Sequence, residues 1–438
     1  MSLFFRLVAV GALVVCSGAP AHGAPASSAE VTAGNRFNPD ISVILEGNAY
    51  RDDEGGEADE RIADAAGINE IGGGHGHGGG HAGEAIGFNL KPAEFVFSAS
   101  VDPYFDAYAQ FVVTESGDLN LEETYLTTRE LPAGLRVKAG QFLSGIGYHN
   151  EKHRHQWAFI EQNLPYQHLL GDHGLMGTGV QLTWTPLTPV YTRFGVEALQ
   201  GDQAVVGRFD GEDRIQDLED EGHIPDGALD RFADPKGGPR LFTAFAKLAP
   251  DLGYSHELQM GVFGVFAGEQ QEVHIEPDHV LRGDYGVVGT DWVYAYDAPH
   301  QYGKGDLKIS AEYLYAVKDL EVAEHAAQPK VGDDRTFRED GFYVQGRYGF
   351  AANWRAALRY DAVGAGINEK TVGATGTSES WDASHRVSAV LTWTPTHYSR
   401  LQAQWSGSDI ATESGREQVS QYFLRFIASM GQHGAHEF

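Results

Sequence analysis

Cysteine is almost absent from this chain: one residue in 438, Cys16, and it falls in the first 23 positions. That excludes a disulfide framework and a zinc site built from thiolates. Beyond the N-terminal run from Leu7 to Val15, no stretch holds the roughly 18 to 20 uninterrupted apolar residues a membrane helix needs. Any crossing of a membrane must therefore use strands. Positive charge is scarce too, with 32 Lys and Arg against 61 Asp and Glu, a formal charge of -29. Such a surface repels phosphate backbones, so nucleic acid is not an expected partner, and it suits cations or a divalent-rich lipopolysaccharide layer. A serine nucleophile elbow, a phosphate-cradling glycine loop, a zinc-protease helix and a cysteine nucleophile are all missing, and the chain is not read as an enzyme.

The N-terminus has the order of a secretory signal: basic Arg6, the apolar run, then small residues ending in Ala21-His22-Gly23. Cleavage is expected after Gly23, since Pro25 disfavours Ala24. A lipoprotein reading of Cys16 is disfavoured by Val15 before it. Loss of residues 1–23 removes one basic residue and leaves a mature charge of about -30. Residues 24–38 are read as a short periplasmic segment and 39–438 as a β-barrel.

Period-two alternation is the main structural signal. Phe95-Val96-Phe97-Ser98-Ala99-Ser100-Val101 opens one such segment, and paired segments flank Leu131-Pro132-Ala133-Gly134, Ala351-Ala352-Asn353 and Pro395-Thr396-His397. Candidate strands lie at 40–50, 86–101, 104–114, 118–129, 135–142, 175–186, 190–200, 241–249, 254–268, 284–297, 305–317, 340–350, 353–364, 383–394, 397–408 and 417–428. Connections after strands one, five, seven, nine, eleven and thirteen read as long, and most others as short. Lipid offers no partner to an open sheet edge, so spanning strands must close. The expected fold is all-β: a transmembrane antiparallel β-barrel of about sixteen strands, with long extracellular loops alternating with short periplasmic turns. Aromatic clusters such as Tyr104-Phe105, Trp292 to Tyr296, Tyr313-Leu314-Tyr315 and Tyr422-Phe423 are candidate interfacial belts or ordinary strand packing.

The C-terminal Tyr422 to Ala428 strand and terminal Phe438 look like the aromatic signature read by the barrel-assembly machinery of a Gram-negative outer membrane. From Glu94 through Trp184 the chain resembles bacterial porin-like proteins often labelled zinc-regulated outer-membrane receptors. The resemblance rests on Gly140-Gln141-Phe142, Gly147-Tyr148-His149-Asn150, His153-Arg154-His155 and Leu170-Gly171-Asp172-His173-Gly174-Leu175. More distantly the chain resembles phosphate-selective and general porins. The resemblance implies envelope transport under metal control; too few residues precede the first strand for a plug domain. Porin analogy also places a homotrimer among the expectations.

Two histidine groups stand out. His75, His77 and His81 lie in a glycine-rich stretch, 72–81, whose imidazoles suit zinc or another divalent metal; the bland alternative is a low-complexity extracellular loop. The connection 143–173 carries His149, His153, His155 and His173 as metal candidates, and Glu151, Lys152, Arg154, Glu161 and Asp172 as candidates to set pore width and charge. Packing against the barrel wall through Trp157, Phe159 and Tyr166 is the third reading of that segment. The acidic stretch from Asp210 to Glu221 lacks the donor spacing of a helix-loop-helix calcium site and reads as a solvated loop. No cofactor is required. The function expected is a passive diffusion channel for small solutes or ions, connected to divalent metal uptake, with a non-conducting metal-binding or adhesion barrel as the alternative.

Overall fold

A computed structural model describes residues 39–68, 84–114, 116–201, 203, 205–224, 227–232, 234–235, 237–274, 280–324, 331–373 and 375–431. The chain divides into 1–34, outside the described residues, and 35–438, described below. The signal segment, the stretch 72–81 with His75, His77 and His81, and the terminal Phe438 also lie outside the described residues.

Eighteen strand segments follow one another: β1 (Asp40–Asp52), β2 (Gly87–Leu90), β3 (Ala93–Ser100), β4 (Phe105–Val113), β5 (Leu119–Thr128), β6 (Leu135–Leu143), β7 (Met176–Trp184), β8 (Tyr191–Leu199) and β9 (Leu241–Ala249). Then come β10 (His256–Val273), β11 (Val280–Tyr296), β12 (Leu307–Glu324), β13 (Asp334–Ala351), β14 (Trp354–Val372), β15 (Thr377–Ser380), β16 (Ser384–Thr396), β17 (Ser399–Thr412) and β18 (Gly415–Gly431). All pair antiparallel, and β1 pairs with β18 from Ser42↔Gly431 to Asp52↔Gln421, which closes the ring. Two of the staves are broken in two. β2 and β3 pair in turn along β1, on either side of Lys91-Pro92, because proline cannot donate to the ladder. β15 and β16 likewise follow each other along β14. The result is a closed barrel of sixteen staves. Among the described residues no helix is long and apolar enough to cross a membrane.

Alternation assigns the two faces. In β14, Leu358 and Tyr360 are exposed on the outside while Arg359 and Asp361 are buried inside. The outer face carries an aromatic girdle at the short-turn edge, with Trp184, Phe194, Phe350, Trp354 and Trp393 all exposed there. Trp354 stacks on Trp393 at 5.7 Å. Amphipathic rings at a membrane interface are favoured in this position. Of the clusters expected from the sequence, Trp292 and Tyr313 face outward, whereas Phe423 is buried inside against Tyr50.

The connections after staves one, five and seven are long, as expected. Those after nine, eleven and thirteen are not long loops, because the strands run on: β10 and β11 continue to the pair Val273↔Val280, β12 reaches Glu324, and β14 continues past Val363 to Val372. The wall is accordingly taller over β10–β14, on the long-loop side. Against this tall wall the connections fold inward. The acidic stretch is a helix, α3 (Glu212–Asp220), after α1 (Ala58–Ala63) and α2 (Leu164–Leu169); Ile215 and Leu218, three apart on one helix face, pack on Val273 and Val280. In the first long connection, Ala58 and Ile62 of α1 pack on Val363, Ile410 and Val419.

Candidate functional site

Residues 144–175, between β6 and β7, lie across the lumen, bonded to the inner wall on all sides. The crossing starts at Glu197 of β8, which accepts from the Ser144 hydroxyl and the Gly145 N–H (2.8 Å). Gly147, at φ +57°, then brings the backbone against Glu312 of β12 so closely that a Cβ would lie 2.3 Å from its Oε2. The Glu312 carboxylate accepts from the His149 N–H at 2.8 Å, the Tyr166 hydroxyl at 2.9 Å and the Tyr343 hydroxyl at 2.8 Å. Farther on, Asn163 caps α2 by accepting from the Tyr166 N–H at 2.9 Å, and Pro165 lies in its first turn.

Glu161 is the second fixed point. It accepts from Arg359 of β14 at 3.1 Å, from Ser388 of β16 at 2.8 Å, from Ser406 of β17 at 2.7 Å, and from the Gln404 amide. Burial pushes its carboxyl upward, but Arg359 and Arg386 outweigh burial and hold it below the ordinary carboxylate range. Arg386 also donates to the Gln162 carbonyl at 3.0 Å, and Arg400 to the His155 carbonyl. Trp157, Phe159 and Tyr166 are all buried.

The opposite edge of the crossing rests on ion pairs. Lys247 of β9 and Arg193 of β8 reach Glu151 at 2.6 and 3.5 Å. Partial burial raises the Glu151 carboxyl, yet these two cations hold it below its ordinary range. His153 donates to Glu123 of β5 at 2.8 Å, and His155 lies 2.8 Å from Glu94 of β3. Burial opposes a charged His153 ring, but Glu123, with Glu94 and Glu122 behind it, raises its pKa above the free value. Arg154 pairs with Glu84 at 3.2 Å. Asp172 and His173 are exposed at the far end of the crossing.

The histidines do not converge on one point. His153 and His155 stack at 5.8 Å, each engaged with its own carboxylate. His149 lies instead in a box of Trp157, Tyr166 and Tyr343, bonded to Gln162 at 2.6 Å. Burial there, with Arg359 and Lys152 nearby, drives its pKa down to about 3 and keeps the ring neutral. Among the described residues no group of three or more His, Cys, Asp or Glu is arranged to hold a metal ion. The wall partners Glu312, Arg359, Arg386 and Glu123 are absent from the sequence-derived site. Their signal was a charged residue in the inward phase of a strand, as with Arg355, Arg359 and Asp361 in β14.

No protein-family model matches the sequence. A protein of Aquifex aeolicus (strain VF5), described as uncharacterized, is 32% identical over 415 residues, covering 92% of this chain and 80% of that one. Two solved structures are similar in fold. A loop L8 deletion mutant of OmpT, an outer membrane protein of Vibrio cholerae, superposes with a TM-score of 0.51 at 11% identity, over 90% of this chain and 99% of that one. The outer membrane channel DcaP of Acinetobacter baumannii gives 0.50 at 13% identity, over 90% and 97%. At these identities the likeness concerns the barrel fold.

Proposed function

The chain belongs to one family with the Aquifex aeolicus protein, and we propose that it is a passive diffusion channel of a Gram-negative outer membrane, for small solutes or ions, with residues 144–175 as its constriction. The observation that carries this reading is the inversion of polarity across the wall. Glu46, Gln110, Ser388, Gln402 and Arg425 face the interior, while Leu126, Val180, Leu358, Leu391 and Leu424 are exposed outside. A polar interior inside an apolar exterior is the arrangement of a water-filled membrane barrel. That DcaP is an outer membrane channel agrees with it. The ring of bonds around 144–175 favours a second reading, a non-conducting barrel sealed by its loops.

Single-channel conductance of refolded protein in a planar bilayer separates the two. Stable steps are expected, and replacing 151–160 by a Gly-Ser linker should enlarge them. Silence from folded, inserted protein would favour the sealed barrel. Repeating the recording with zinc tests the metal connection: a zinc effect lost on joint replacement of His75, His77 and His81 would tie that stretch to transport.

A further inference from the structure

The formal charge of the chain is -29, yet a group of cations gathers on the short-turn side of the constriction. Lys308 and Arg347 are direct partners in the β12–β13 register. Arg355 lies at the adjoining start of β14, within reach of the charge of Arg347, and both act electrostatically on Arg400 of β17. From above, the constriction adds Lys152: its Nζ lies 3.6 Å from the centre of the Tyr148 ring, and the Nζ of Lys308 lies 5.2 Å from the same ring. Two acids act within the same group, Asp306 on Arg355 and Glu46 on Arg400.

Between these cations is a cleft of about 30 Å³, lined by Lys152, Lys308, Arg347, Gln156, Gln345 and Trp157 among others. No carboxylate is found among the described residues that line it. A space of roughly 10–15 Å³ accommodates one water, so this cleft suits a compact ion and not an extended solute. Arg136, Lys138, Arg193 and Lys247 also lie in the inward phase of β6, β8 and β9, the last two paired with Glu151. Low-dielectric walls focus the field of such a lining, and rings of Lys and Arg select anions.

We propose that this cleft is a binding site for a compact anion, formed by Lys152, Lys308 and Arg347 with Arg355 and Arg400 beside it, and that it gives the channel anion preference. Its consequence for transport rests on the channel reading above; the binding itself does not. Part of the acidic surplus of the sequence lies on the long-loop side, in the helix α3.

Two measurements test the proposal. Reversal potentials in asymmetric KCl should show chloride favoured over potassium. The double variant Lys308→Gln with Arg347→Gln should lower that ratio roughly fivefold or more, the size expected for removing charges a few ångströms from the ion, while Arg416→Gln on the distant β17–β18 hairpin leaves it unchanged. Potassium preference in the wild type, or a double variant like the wild type, would overturn the proposal while leaving the channel standing. The second measurement needs no conduction. Trp157 is buried at the cleft, whereas Trp184, Trp292, Trp354, Trp393 and Trp405 are exposed on the outer wall. The fluorescence lost in Trp157→Phe isolates its signal, which iodide should quench more than caesium, and less so in the double variant. Equal quenching by the two ions would sink the site even in a silent barrel.

Discussion

The wall around the crossing loop is built in two halves. Staves β3 to β9 have eight to ten residues each, whereas β10 to β14 have seventeen to nineteen. On the tall side the loop meets a desolvated surface: Ile146, Tyr166, Leu169 and Leu170 join Val287, Leu314, Leu320 and Tyr343 in one buried cluster. On the low side its crossing segment is tied by Glu151, His153 and His155 to charged side chains of the wall, with the Glu151 side chain one-third exposed. The same loop is therefore locked along one edge and latched along the other. Buried contacts set its position, and ion pairs within reach of lumen water set how firmly the other edge stays down.

Breaking the locked edge should have the largest effect. Arg359→Met leaves the buried carboxylates of Glu161 and Asp361 without the guanidinium that contacts both, at 3.1 and 3.0 Å. Removing one member of a buried ionic group costs about 3–5 kcal/mol. Denaturant unfolding of the refolded barrel should show a correspondingly lower midpoint. An unchanged midpoint would mean that Arg386 alone satisfies Glu161, and the two edges would then differ less than the comparison holds.

Gly147→Ala attacks the same edge at a second point. The added methyl would collide with the Glu312 carboxylate and the Tyr166 hydroxyl, at 2.3 and 2.5 Å, in a left-handed backbone conformation. Moving that carboxylate strands buried donors, so a loss of about 1–3 kcal/mol is expected. Exposure of Trp157 to aqueous quenchers should rise with it. A variant with wild-type stability and quenching would show that Glu312 does not hold the loop.

The short half of the wall was legible almost residue by residue in the sequence. Leu241 to Ala249 has lipid-facing and lumen-facing residues in clean alternation between turn-forming ends, and β9 occupies that span. The tall half was underread for a physical reason visible in β12. Nearer the short turns Ile309 and Tyr313 are outside, with Lys308, Ser310 and Glu312 inside. Farther along, Leu320 and Val322 are buried inside while Asp319 and Glu321 are exposed. The polarity of the two faces reverses once the outer face meets water and the inner face meets packed loops. A pattern sought as apolar outside and polar inside ends at Val317, although the strand does not. The helix α3 escaped for a related reason: only Ile215 and Leu218 mark its inner face within an acidic run. The crossing loop itself was legible as a long, His-rich, aromatic-anchored connection. Its wall partners were not, since Glu312 and Arg359 are 146 to 198 residues from the loop positions they hold.

The latched edge provides the smallest and most reversible effect, through pH. His153 has a raised pKa, so its pairing with Glu123 is fully present below the unfolded value of 6.5 and is lost as pH rises through the higher folded value. Glu151 has a lowered pKa, so its pairing with Lys247 is present above the unfolded value of 4.5 and is lost as pH falls through the lower folded value. Both latches are closed together between these two limits. The Glu151 pairing, one-third exposed at its carboxylate, contributes less than about 1 kcal/mol once solvent screening is allowed for; the His153 pairing is more shielded and holds more firmly, and the loss of either changes how often the edge lifts. Current noise in an open channel should therefore rise on the alkaline side of the window and again on the acid side. His153→Gln should remove the alkaline limb alone, and Glu151→Gln the acid limb. Noise that stays flat across the whole range would mean the low side is held as rigidly as the tall one.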